Sequence, residues 1–199
     1  MMSLINVKFE SRSAKDNFRV ATTSYELARR ASEEWEIEHH CITGIVFTAF
    51  SIEAMLNHFG RILFNDWDAN KLNRNASHKK LFREVNLPNY LGTKVYQTAN
   101  NCFVLRDLLA HGKTIEETII IDVPDDIGRD KVVHKVTSIR SKAHRNTNCE
   151  VLETFIETAK KIEKDIQDNG FYPNQTHLPK KDREKLLECP LSVSGIHTW

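Results

Sequence analysis

A chain of 199 residues is long enough to bury a substantial core and short enough to form one domain. Its composition, 40% hydrophobic and 28% charged with seven glycines and five prolines, is that of a globular protein with long uninterrupted helices. A net charge of +1 excludes a global electrostatic bias toward nucleic acid or membrane, so any such partner needs a local patch.

Residues 1–15 read as an irregular lead-in with no apolar core of signal-peptide length. A first amphipathic helix is predicted from about Asp16 to Trp35, with Phe18, Val20, Tyr25, Leu27, Ala28 and Ala31 on one side. The second, from about Glu38 to Phe64, carries CITGIVFTAFSIEAML and is apolar nearly all round. Its unbroken apolar run falls short of the ~20 residues of a membrane span. Glu53, Asn57, His58 and Arg61 interrupt it, so it reads as the central helix of a bundle. Ser77–Val85 makes a short third helix stopped by Pro88. The fourth runs from Thr93, a plausible N-cap, to about His111, with Gly112 as its C-terminal stop.

Beyond it the pattern changes. IEETIIIDV (115–123) and KVVHKVTSI (131–139) are β-branched and partly alternating, which predicts a β-hairpin over 115–139. Helix returns from Asn146 to Asn169, with Val151, Leu152, Phe155, Ile156, Ala159, Ile162 and Ile166 at helical spacing. The extension 170–199 holds one expected short helix, PKKDREKLLE, with Pro179 in its first turn. The domain division is therefore a lead-in at 1–15, a helical domain at 16–169 and a C-terminal extension at 170–199.

Cys41, Cys102, Cys149 and Cys189 form no CxxC pair and read as free thiols of a reduced, cytoplasmic compartment. His39, His40 and Cys41 are adjacent on one helix and point in different directions, and no second cluster has zinc spacing, so no metal is expected. With no glycine-rich phosphate loop and no nucleophile elbow, no cofactor is expected either.

The chemistry concentrates in LRDLLAHGK (105–113), where Arg106 and Asp107 interrupt an apolar run that ends on His111. Burying an unpaired charge is expensive, so these residues need partners or a task. Asp107 and His111 are four apart and share a helix face, which lets the carboxylate orient the imidazole. Arg106 and His111 lie ~140° apart around the axis and ~7.5 Å along it. A second copy of the helix would complete a site containing both, which favours a dimer. Glu53 and Asn57 form a polar line on the second helix with Arg61, and Glu53 is expected to pair with Arg106.

An Arg, a polar residue, three more positions and His at the end of a late helix resembles the R-x4-H motif of HEPN domains. FSIEAMLNHFG (50–60) resembles the second helix of those proteins, and the helix order with a β insertion after LAHGK fits several bacterial groups. The likeness covers roughly residues 16–169. It implies an all-α, up-and-down helical bundle and a metal-independent endoribonuclease, often a toxin or phage-defence effector. Two protomers would form one cleft, with RNA as substrate and a cognate antitoxin among the implied partners; no membrane is implied. Carried over, Arg106 would hold the scissile phosphate. His111 would be the general base on the ribose 2′-OH. Asp107 stands at the polar position, where many members carry Asn.

Blander readings stand beside these. Arg106, Asp107 and His111 would equally serve as a buried ion pair tying helices, with a histidine cap. Glu53 and Asn57 would then be satisfied core groups. Lys113, Arg140, Lys142 and Arg145 could track an RNA backbone, while pairing with Glu116, Glu117, Asp122, Asp125 and Asp126 explains the basic segment without RNA. A non-catalytic HEPN module binding RNA, nucleotide or a partner protein is the competing function.

Overall fold

The computed structural model describes residues 13–68, 73–110, 118, 120–122, 128–137, 142–173, 175 and 177–192. Through them run seven α-helices: α1 (Ser13–Arg30), α2 (Glu34–Leu63), α3 (Arg74–Glu84), α4 (Lys94–Ala110), α5 (Arg129–Thr137), α6 (Lys142–Arg145) and α7 (Cys149–Asn169). A 3-10 turn at Tyr90–Gly92 precedes α4 and another, Lys180–Asp182, lies in the tail. The architecture is all-α, and among the described residues the one β feature is an isolated bridge between Phe171 and Lys185.

α2 is the central element, with α1, α3, α4 and α7 packed around it. By length and composition it could cross a membrane, but half of its most apolar window is buried inside the fold. Cys41, Ile45, Ala49, Ile52, Met55, Leu56 and Phe59 are fully buried along it. α7 answers with Leu152, Phe155, Ile156, Ala159, Ile162 and Ile166, the helical stripe expected from its spacing. Asn148 caps α7, its side chain accepting from Val151 N at 2.9 Å. α4 contributes Tyr96, Ala99, Cys102 and Phe103, and Thr93 caps it as expected, accepting from Tyr96 N at 3.2 Å.

α1 differs from the expected face. Its buried residues are Ala14, Ala21, Ser24 and Ala28, whereas Leu27 is exposed and Phe18 and Tyr25 are half-buried. Small residues let the backbones of α1 and α2 approach closely, and the larger side chains ride at the edges of that contact. Where α2 meets α7, Gly44 leaves the room that the Leu152 side chain fills: a Cβ there would lie 2.5 Å from Leu152 Cδ2. Gly44→Ala should therefore lower the thermal midpoint by several degrees, a cost of roughly 1–3 kcal/mol for overpacking. An unchanged midpoint in a melting experiment would show that Leu152 has space to swing away.

Three further expectations need correction. The second predicted hairpin strand, 131–139, is helical where described: α5 covers Arg129–Thr137. Val132, Val133 and Val136 repeat at helical as well as strand-like spacing, and Asp130 in the first turn suits a helix start. Of the first strand, residues 118 and 120–122 have no regular structure, and the rest lies outside the described residues. The tail helix shrinks to the turn Lys180–Asp182, after which the chain runs extended. There Leu186 is fully buried while its neighbour Leu187 is exposed, and Leu186 N donates to Gly170 O at 3.1 Å. Within the tail Tyr172 N donates to Glu184 O at 3.1 Å, and Leu191 N donates to Glu163 Oε1 on α7 at 2.9 Å, so the described residues of the tail pack back on the bundle. Most of the predicted lead-in lies outside the described residues, but Ser13–Lys15 already belong to α1.

Candidate functional site

Four charged side chains from three helices meet at the end of α4. Arg106 presents its fork to Glu53 on α2: Nη1 donates to Oε2 at 3.1 Å and Nη2 to Oε1 at 3.0 Å. Paired donors on a planar carboxylate fix the guanidinium in direction as well as position. Arg106 Nε lies 2.8 Å from Asp107 Oδ1, but its N–H does not point at that oxygen. This is a charge contact, and it leaves a buried donor without a hydrogen bond. The ring of Phe50 lies 5.2 Å from Arg106 Cζ.

Arg74, the first residue of α3, closes the network. Its Nε is 3.0 Å from Glu53 Oε1 and its Nη1 is 3.5 Å from Asp107 Oδ2, while its guanidinium sits 4.7 Å from the Phe103 ring centre. Two cations and two carboxylates thus neutralise one another. Arg106 is the most enclosed, at 8% exposure. Burial pulls its pKa down, but the Glu53 hydrogen bonds and the charges of Glu53 and Asp107 outweigh this and raise it. The guanidinium stays charged.

One turn further along α3, His78 is buried against α4, its Nδ1 2.7 Å from the hydroxyl of Tyr96. Burial, assisted by the charge of Arg74, lowers its pKa to about 4, so it is neutral near pH 7. Burial pushes the Tyr96 phenol up to about 12. With no charge on either partner, Tyr96 and His78 share one neutral hydrogen bond, and Phe103 lies beside it at 6.0 Å between ring centres.

The expected residues divide accordingly. Glu53, Arg106 and Asp107 come together, with Glu53 paired to Arg106 as the sequence suggested. Asn57 does not join them: it accepts from Trp67 Nε1 at 3.3 Å, where the indole lies over Gly60. His111, Gly112, Lys113 and Arg140 lie outside the described residues. Lys142 and Arg145 bound the short helix α6, and Arg145 is exposed. Sequence reasoning missed Arg74 and His78. The signal was Asn73, an N-cap that accepts from Ala76 N at 2.8 Å. Starting the third helix there, rather than at Ser77, would have put Arg74 and His78 one turn apart on the face toward α4.

His39 and His40 make only an edge-to-face ring contact, at 5.5 Å. Among the described residues, no group of three His, Cys, Asp or Glu side chains could hold a metal ion. The arrangement can fix cations, and at Arg74 it holds one whose contact to Asp107 is long enough to yield to a competing anion. No family model, curated protein or solved structure matches this chain.

Proposed function

We propose that this chain is a metal-independent endoribonuclease of the HEPN type, acting through Arg106 and His111 at a cleft between two copies. The observation that carries the reading is the two-pronged grip of Glu53 on Arg106, five residues before His111. It preorganises a cation of fixed direction at the end of α4, the property needed to stabilise charge developing on a phosphate. Arg74 adds a second cation beside it. In the proposed reaction His111 takes the proton of a ribose 2′-OH, whose oxygen attacks the adjacent phosphorus. The 5′-oxygen leaves with a proton from His111 of the partner subunit, giving a 2′,3′-cyclic phosphate and a 5′-hydroxyl.

Pairing of two α4 helices is supported by an apolar strip on the exposed side of α4, across the helix from Arg106. Val104 and Leu108, one turn apart, are 49% and 41% exposed. A toxin or defence role in the cytoplasm, with an antitoxin as partner, follows from the same reading.

One observation favours a second function. Both Glu53 oxygens and the Asp107 charge already engage Arg106, so phosphate binding requires Asp107 to give way or Arg74 to take the anion. A non-catalytic module that uses the network to tie α2, α3 and α4, and binds RNA, nucleotide or protein on the adjoining surface, needs no such rearrangement. Incubation with mixed cellular RNA in excess chelator separates the two. Expected is cleavage by wild type leaving cyclic-phosphate ends, with a loss of at least ~100-fold in His111→Ala and in the Arg106→Ala, His111→Ala double variant. No cleavage by a folded, dimeric wild type would select the binding module.

A further inference from the structure

Away from the Arg106 network, at the other end of α2, two thiols face each other. Cys41 Sγ on α2 and Cys149 Sγ at the first position of α7 are 3.7 Å apart, although 108 residues separate them in sequence. Both are free thiols in this structure. Cys41 and Glu53 are twelve positions apart, or ~18 Å along the helix, so the pair is no part of the charged cluster.

The two thiols are unequal. Cys41 is fully buried, and burial together with its contact to Cys149 pushes its pKa well up, so it stays a protonated thiol. Cys149 is partly exposed and stands where solvent reaches it. The helices also pack tightly here. One turn on from each cysteine, Gly44 and Leu152 form the tight contact described above. A disulfide needs its sulfurs ~2.05 Å apart, so closing the bond takes a movement of roughly 1.7 Å, within reach of a side-chain rotation at the start of α7.

We propose that Cys41 and Cys149 form a peroxide-sensitive modification site that closes into an intramolecular disulfide joining α2 to α7. In the first step the Cys149 thiolate attacks one oxygen of a hydroperoxide. The O–O bond breaks, Cys149 becomes a sulfenic acid, and the other oxygen leaves and takes up a proton. In the second step Cys41 attacks the sulfenic sulfur; the S–S bond forms, the Cys41 proton passes to the departing hydroxyl, and water leaves. Two thiols are oxidised by two electrons and one peroxide is reduced. A dithiol reverses the bond.

The test treats the reduced full-length chain with a small excess of hydrogen peroxide. Expected is an intact mass lower by two hydrogens, a Cys41–Cys149 peptide in a non-reducing digest, and return to the starting mass with dithiothreitol. Because the cross-link closes a loop of 108 residues, the oxidised form should melt roughly 5 °C or more higher. Cys41→Ser should leave a sulfenic acid on Cys149 that dimedone traps, Cys149→Ser should form no bond, and Cys102→Ser should behave as wild type. A disulfide through Cys189, a bond between chains, no reaction at either thiol, or sulfinic acid accumulating on Cys149 as fast in wild type as in Cys41→Ser would each overturn the proposal.

Discussion

Arg106→Ala is expected to destabilise the protein by about 3 kcal/mol, lowering the thermal midpoint by roughly 10 °C. The loss arises from what the substitution leaves behind more than from the contact removed. Glu53 would keep Arg74 as a partner at 3.0 Å but lose both Arg106 hydrogen bonds while still pinned on α2 against the core. Its side chain is 27% exposed, so water offsets part of the cost and holds the figure at the low end of the range for broken buried pairs. Arg106→Lys should recover less than half, because a single ammonium cannot occupy both carboxylate oxygens at once.

A paired substitution separates structure from chemistry. Glu53→Met with Arg106→Met removes both charges together and should restore most of the stability lost in Arg106→Ala. Urea denaturation of the three variants checks the order. If Arg106→Ala matched wild type in stability, the Glu53 grip would contribute nothing to the fold, and its geometry would need a purely functional explanation. Loss of RNA cleavage in the stable double-methionine variant would then place the requirement for Arg106 in the reaction itself.

The helices were legible in the sequence wherever burial repeats at helical spacing. α7 is the clearest instance: one stripe from Leu152 to Ile166 fixes both the element and its buried face. α2 was legible as central because it is apolar nearly all round. What the sequence obscured were places where a neighbour decides. α1 turns alanines rather than Phe18 or Leu27 toward α2, because close backbone approach wins over side-chain volume there. α5 carries valines at positions that suit either periodicity, and local β-propensity is a weak guide when three and four residue spacings are also satisfied. In the tail, Leu186 packs at Gly170, where Val85 also converges, a meeting no local pattern announces.

The charged site was half legible for a related reason. Arg106 and Glu53 stand out because they interrupt apolar runs on long helices, and their mutual pairing follows from the need to satisfy a buried charge. Arg74 sits in a polar stretch, KLNRNASHKK, where one more cation draws no attention. Its role depends on the helix starting at Asn73, a difference of one turn from the expected boundary. His78, similarly, was hidden among Ser77, Lys79 and Lys80, since nothing in that string shows which of its faces meets Tyr96.

His78 leads to the second large expected effect, a pH dependence of stability concentrated in mildly acidic solution. A histidine in the unfolded chain has a pKa near 6.5, whereas burial holds His78 at about 4 in the folded protein. Between those values the unfolded chain binds a proton that the folded one refuses, so stability falls as the pH falls. The contribution is fully present above about pH 6.5 and is lost progressively down to about pH 4, amounting to roughly 3 kcal/mol in all. Protonating the ring would put a cation one turn from Arg74 and beside the neutral Tyr96 hydroxyl, where no carboxylate among the described residues touches it. His78→Asn keeps a polar atom near the position of Nδ1 but cannot titrate. The variant should be less stable than wild type at pH 7.5, because the smaller side chain leaves a gap beside Phe103. On acidification to pH 4.5 it should lose markedly less stability, and the two curves should converge. Urea midpoints at half-unit intervals read the difference directly, and carboxylate titrations common to both proteins cancel. Parallel curves over that range would mean that the folded protein accepts the proton on His78, and that the contact with Tyr96 opens to admit it.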